Sequence, residues 1–269
     1  MKIQKLLILS DFSEVSTPLL RYGLALAQHL NARVWVQHTY SFPATISGEA
    51  YIPEDAFKNY EKRIVQEFDA LKKELPALRD VQFELSCGDL VPEMNKLIES
   101  EQIDLVVIGN QGGGFITNIL GSNTIKVIQH AHCPVLSVPD SIAFQPFQHM
   151  AMAMDLKATK PAVIQRIADF AQSFRARMDI IHVSEAPVAV DVNQLTHKLD
   201  KALENTSHQF FHVHTSDIDQ AIAKHMEGNN DDLLILLPRE HTFFDSLFQK
   251  SISRQLAYQK KVPLLSIHA

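Results

Sequence analysis

Slid against itself by 144 residues, the chain places Asp11 on Asp155, Ala27-Gln28 on Ala171-Gln172 and His38 on His182 without a gap. Farther along, the offset becomes 128, where Asp89 meets Asp217 and Asp104-Leu105 meets Asp232-Leu233. It ends at 129, where Pro134-Val135-Leu136 meets Pro263-Leu264-Leu265. Chance identities would not keep order, strand position and the closing Pro-apolar strand together, so the sequence reads as a tandem duplication of one unit. The residues lost from the second copy fall in the connection after its second strand. The seam is Pro139 to Gln148, with prolines at 139 and 146. It sets the expected domains at 1–140 and 147–269, each long enough for its own core.

The unit itself alternates two periods. Lys5 to Ser10 is a short apolar run, and Leu20, Leu24, Ala27 and Leu30 then mark one face of a helix from Pro18 to Leu30. Val34 to His38 is a second strand, followed by a charged amphipathic helix from about Pro53 to Leu75. Val81 to Ser86, Asp104 to Ile108 and Pro134 to Val138 read as strands three to five, and Pro92 to Ser100 and Ser122 to His130 as helices. Strands alternating with helices call for a parallel sheet covered on both faces. The expected fold is therefore α/β: two tandem doubly wound domains, each a five-stranded parallel sheet with helices on both faces.

Several functions are excluded by composition. No apolar run reaches the roughly 18 to 20 residues of a membrane span. The N-terminus enters a strand pattern directly, without an apolar stretch and small-residue cleavage site, and Cys87 and Cys133 are too few for a disulfide framework. A reducing cytoplasm is the expected location. A formal charge of -6 argues against nucleic acid or an anionic membrane surface as partner.

Glycine is distributed unevenly: eight of the nine lie at or before Gly121, and only Gly228 follows. Five of the eight stand in one stretch, Gly109, Gly112, Gly113, Gly114 and Gly121, between strand four and the next helix. Ligands of open parallel sheets bind beyond the carboxyl ends of the strands, where strand order reverses. Both Asp11, after strand one, and this loop are at such ends. Bare backbone N–H groups and the N-terminus of the helix starting near Gly121-Ser122-Asn123-Thr124 suit an anion, phosphate above all. The loop is neither a G-x-x-x-x-G-K-[ST] cradle nor G-x-G-x-x-G, because Thr117 stands in the last glycine's place.

Gly109-x-x-Gly112, eight residues, then Gly121-Ser122, together with Asp11-Phe12-Ser13 and the run from Gly121 through His132-Cys133-Pro134-Val135-Leu136, resembles the universal stress proteins. The resemblance covers essentially the whole chain as two copies, although the family's nucleotide-binding members have nine residues between the two glycine pairs. It implies an adenine nucleotide alpha hydrolase-like fold and ATP binding in the first copy, with Mg2+ allowed beside the phosphates. On that reading Asp11 contacts the adenosine part, Ile108 and Gly109 line the nucleoside, and Gly112 borders the phosphates. Gly121, Ser122, Asn123 and Thr124 donate to phosphates or ribose. The family also pairs through its fifth strands, which implies a pseudo-dimer within this chain, open to further homodimerisation, and a stress-sensing or regulatory role with an unidentified protein partner. No catalytic base cluster accompanies the loop, so any ATP hydrolysis is expected to be slow.

In the second copy Gly109 becomes Leu237, Gly112 becomes Glu240 and Gly121 becomes Lys250, while Ser122 keeps its partner in Ser251. A carboxylate where phosphate oxygens belong predicts that this copy does not bind ATP in the same way. No metal-ligand set is expected: His208, His212 and His214 share a strand without a carboxylate at ligand spacing, and the equivalent strand of copy one carries Glu84 and Ser86 instead. His38 and His182 occupy one repeated position, which a shared packing or hydrogen-bonding role explains. Cys133 reads as a small buried side chain. Two alternatives to the ATP reading stand: a tandem scaffold that binds no nucleotide, and an enzyme of the related nucleotide-hydrolysing folds, whose Ser-Gly-Gly-x-Asp-Ser loop is absent after strand one.

Overall fold

The computed structural model describes residues 1–12, 16–41, 54–110, 121–139, 142–154, 161–184, 199–215, 217–237 and 262–267. In the first half the order is β1 (Lys5–Leu9), α1 (Ser16–Leu30), β2 (Arg33–Tyr40), α2 (Glu54–Glu74), a 3-10 turn (Pro76–Asp80), β3 (Gln82–Cys87), α3 (Leu90–Glu101), β4 (Leu105–Gly109), α4 (Ser122–His130) and β5 (Val135–Val138). The second half runs β6 (His149–Ala153), α5 (Pro161–Phe174), β7 (Arg177–Ser184), β8 (His208–His214), α6 (Ile218–Asn229), β9 (Leu233–Leu236) and β10 (Leu264–Ser266).

The ten strands among the described residues form one sheet, ordered β3-β2-β1-β4-β5-β10-β9-β6-β7-β8. Each half is parallel throughout, and the two halves join where β5 and β10 run antiparallel. The join has the symmetry of the repeat, since Leu265 pairs with its own counterpart Leu136, and Leu264 and Ser266 pair with Ser137 and Val135. A fifth strand pairing with the other fifth strand is therefore an isologous contact within one chain, a pseudo-dimer.

Parallel strands buried on both faces need continuous apolar runs, and β1 supplies one. Its side chains alternate: Leu6 and Ile8 enter a core under α1, α2 and α5, while Leu7 and Leu9 enter a second core under α3, α4 and α6. Both cores continue across the pseudo-twofold seam. On the first face an aromatic row fastens it: Tyr22 of α1 meets Phe144 edge-on at 5.4 Å, Phe147 lies 4.9 Å from Phe174, and His29 stacks on Phe174 at 4.7 Å.

The repeat persists in the backbone. Positive φ recurs at Asn31 and Arg175 after the first helix of each half, and at Gln102 and Asn230 after α3 and α6. Asp104 accepts from the N–H groups of Gln4 and Lys5 at 2.8 and 2.9 Å, and Asp232 accepts from those of Gln148 and His149 at 2.7 and 3.3 Å. Each carboxylate ties the start of the half's fourth strand to the start of its first. The register also corrects one equivalence: Trp35 pairs with Gln82, and its counterpart Asp179 with Gln209, so β3 and β8 are offset by 127. His212 and His214 thus correspond to Leu85 and Cys87, not to Glu84 and Ser86, because β8 is one residue closer to its neighbour than a gapless continuation of the later offset allows.

Candidate nucleotide site at the first switch point

Strand order in the first half reverses between β1 and β4, whose residues Leu6, Leu7 and Ile8 pair with Leu105, Val106 and Val107. The chain therefore leaves β1 and β4 side by side, and connections depart in opposite directions, opening a crevice at their carboxyl ends. Asp11 stands on one side of it, and Gly109 and the start of α4 on the other.

Asp11 is aimed by its neighbour. Phe12 takes φ 55°, a left-handed conformation that is unfavourable for a bulky residue. Packing offsets that cost: the Phe12 ring stacks on His38 at 5.2 Å and 12° and touches Phe68 and Phe83 at 5.8 and 5.7 Å. With Phe12 turned into the core, Asp11 is left exposed, where its Oδ1 accepts from the hydroxyl of Ser16 at the start of α1. His38, buried beneath, donates from Nδ1 to the carbonyl of Ser10 at 3.0 Å. His182 makes the same bond to Met154 at 3.2 Å, which gives the repeated histidine its role: it ties the second strand to the exit of the first.

Across the crevice, Asn110 N–H donates to Val138 O at 2.9 Å and Gly121 N–H donates to Asn110 O at 2.8 Å. The second bond holds the two ends of the glycine-rich connection together. Thr124, 2% exposed, donates its hydroxyl to Gly109 O at 2.8 Å, so the first turn of α4 is pinned to the end of β4. Ser137 Oγ donates to Asn110 Oδ1. Gly121 is the N-cap of α4 with φ -55° and ψ 146°, a conformation open to any residue, and it brings no side chain to cap the helix. The backbone donors of the first turn and the positive end of the helix dipole thus meet the crevice over a bare residue.

Of the residues singled out in the sequence, Asp11, Gly109, Gly121, Ser122, Asn123 and Thr124 gather around this one edge. Ser122 and Asn123 are exposed, whereas Ile108 is 7% exposed and packs its side chain into the second core. With its hydroxyl proton given to Gly109 O, Thr124 has its backbone N–H as the donor left for a ligand. Gly112, Gly113 and Gly114 lie outside the described residues, as do Asp155, Glu240, Lys250 and Ser251 of the second half. Leu237, the counterpart of Gly109, is described: it is 8% exposed and belongs to the first core. Burial pushes the Cys133 thiol up to about 12, as suits a packed rather than reactive cysteine.

Residues 2–139 match the model of the universal stress protein family. The chain belongs to the universal stress protein family. Universal stress protein G of Shigella flexneri is 45% identical over 51 residues, which are 19% of this chain and 36% of that relative. Universal stress protein MJ0531 of Methanocaldococcus jannaschii is 28% identical over 142 residues, 50% of this chain and 81% of the relative. Among solved structures, a universal stress protein from Archaeoglobus fulgidus superimposes with a TM-score of 0.73 at 19% identity, covering 98% of this chain and 96% of its own. One from Pseudomonas aeruginosa gives 0.63 at 14% identity, covering 99% and 93%. Both likenesses concern the fold, and they extend over both halves of this tandem universal stress protein. Among the described residues no helix is long and apolar enough to cross a membrane.

Proposed function

We propose that the first half, taken as residues 1–140, binds one ATP at the β1/β4 crevice, and that the second half, 147–269, does not bind it in that manner. The observation that carries this reading is the bare N-cap: Gly121 is held by Asn110 at the mouth of the crevice, opposite an exposed carboxylate. The Asp11 carboxylate accepts hydrogen bonds from the adenosine part, Gly109 lets the nucleoside approach the backbone, and the first-turn N–H groups of Ser122, Asn123 and Thr124 donate to phosphate oxygens. Thr124 acts through its hydroxyl as a positioning residue, fixing helix to strand. Gly112 borders the phosphates, and Mg2+ supplies counter-charge to them when it is bound. The buried Leu237 in the place of Gly109 supports loss of this site from the second half.

The role this supports is nucleotide-dependent sensing or regulation under stress, passed to a protein partner, with binding rather than turnover as the working event. Protein purified without added nucleotide, then denatured, should release adenine nucleotide detectable by chromatography. Gly121→Glu should lose that nucleotide and keep the native circular dichroism, since the Gly121 backbone needs no positive φ and the change adds bulk and negative charge in front of the helix. A wild-type protein that neither carries nor takes up ATP would favour the tandem scaffold, for which the loop one residue shorter than the family pattern is the motive.

A further inference from the structure

Among the described residues, the second half holds a polar cluster that the first half lacks, between β7 and α6. Asp179 lies on β7, His225 on α6, and Asp231 just beyond that helix. One ligand atom from each lies within 4.8 Å of the others. His225 Nε2 is 3.0 Å from Asp179 Oδ2 and 3.7 Å from Asp231 Oδ2, and the three side chains are 7%, 1% and 0% exposed.

The repeat shows what these residues replaced. α3 and α6 correspond end to end, as do β2 and β7, so the counterparts of Asp179, His225 and Asp231 are Trp35, Leu97 and Ile103. Those three are buried together in the second core. The same helix ending makes both clusters. Ile103 N–H donates to Ile98 O at 3.0 Å after a left-handed Gln102, and Asp231 N–H to Met226 O at 3.4 Å after a left-handed Asn230. Such a turn folds the next side chain back against the helix, ordinarily as an apolar contact. Here it brings a carboxylate under a histidine.

Two buried carboxylates are costly unless compensated. Asp179 has compensation from Arg177, at 3.0 Å. Asp231 feels Arg177 and His149 only beyond contact distance: neither of its carboxylate oxygens has a hydrogen-bond partner, and 3.7 Å to His225 is too long for one. A proton on His225 would balance the charge yet leave both oxygens without a donor. A divalent cation would engage them. Ligands at zinc–nitrogen and zinc–oxygen distances are separated along a tetrahedral edge by about 3.3 Å, which the two distances from His225 to the carboxylates bracket. One imidazole with two carboxylates suits zinc better than magnesium or calcium, which prefer oxygen alone.

We infer that Asp179, His225 and Asp231 form a zinc-binding site in the second half, independent of the nucleotide crevice. The full chain, stripped with chelator, should take up one zinc ion tightly in competition with a chromophoric chelator and gain thermal stability on doing so. X-ray absorption of that complex should show a single imidazole among oxygen ligands. Asp231→Asn, nearly isosteric, should weaken zinc at least about tenfold. The pair His225→Leu with Asp231→Ile restores the first half's residues and should abolish the tight site while leaving ATP binding unchanged. No zinc uptake at equimolar micromolar concentration would overturn the inference. So would unchanged affinity in Asp231→Asn, the result expected of a proton-linked pair alone, or a zinc spectrum with several imidazoles, the result expected of surface histidines such as His212 and His214. The Asp231→Asn and wild-type measurements decide the matter even if the double variant fails to fold.

Discussion

His38 joins the core to the crevice, and its chemistry gives stability a pH dependence. Burial holds its pKa below the ordinary value of 6.5, against the opposing effects of the Ser10 carbonyl and the Asp11 charge. The unfolded state then binds more protons below about pH 6.5, so stability is full above that value and is lost as pH falls from it toward the depressed folded value. Urea midpoints measured from pH 8 to pH 5 should fall on the acid side, and His38→Gln should flatten part of that slope while lowering the neutral midpoint; equal slopes in the two proteins would assign the acid loss to other groups. The repetition of His38 as His182 was legible in the sequence, and so was a hydrogen-bonding role. The acceptors were not, because a carbonyl leaves no mark in sequence. Asp179, His225 and Asp231 escaped sequence reading for a related reason. Asp179 is 46 residues from His225 in the chain, and only the aligned register shows that each of the three stands where the first half packs Trp35, Leu97 and Ile103.

At the level of elements, the pairing of α1 with β1 rests on one absent side chain. A Cβ at Gly23 would lie 2.5 Å from Ile8 Cδ1 and 2.9 Å from Cγ1, and Ile8 is fully buried. The second half reaches the same packing with different volumes, since Ile167 and Met152 stand in the places of Gly23 and Ile8 and both are fully buried. Gly23→Ala should therefore destabilise by about 1 kcal/mol, overpacking of about 1 to 3 kcal/mol outweighing a helix-propensity gain near 1. Denaturant unfolding reads this directly, and a rise in stability would mean that Ile8 moves aside freely. Periodicity located α1 through its apolar face, yet the helix begins at Ser16, two residues before Pro18, with its first hydroxyl turned to Asp11. Strand three begins at Gln82, where Val81 was expected, because the 3-10 turn closing at Asp80 uses Val81 N–H to reach Leu78 O. Such ends are set by hydrogen bonds to neighbours, which the apolar pattern does not encode.

For the whole molecule, the repeat made the two five-stranded halves legible, and the family resemblance implied that their fifth strands pair; that they meet antiparallel in one ten-stranded sheet is seen only in the structure. What the repeat did not convey is how far the halves merge: the cores are continuous across the seam, through Tyr22, Phe144, Phe147 and Phe174. Within that shared frame the two switch points have diverged, one opening on Gly109 and Gly121, the other carrying a buried Leu237. The proposed stoichiometry is one nucleotide per chain, held in the first half. Calorimetric titration of nucleotide-free protein with ATP reads that stoichiometry. The predicted result is a stoichiometry of one in the wild type and none in Gly121→Glu; two sites per chain, or one site that survives the substitution, would contradict it.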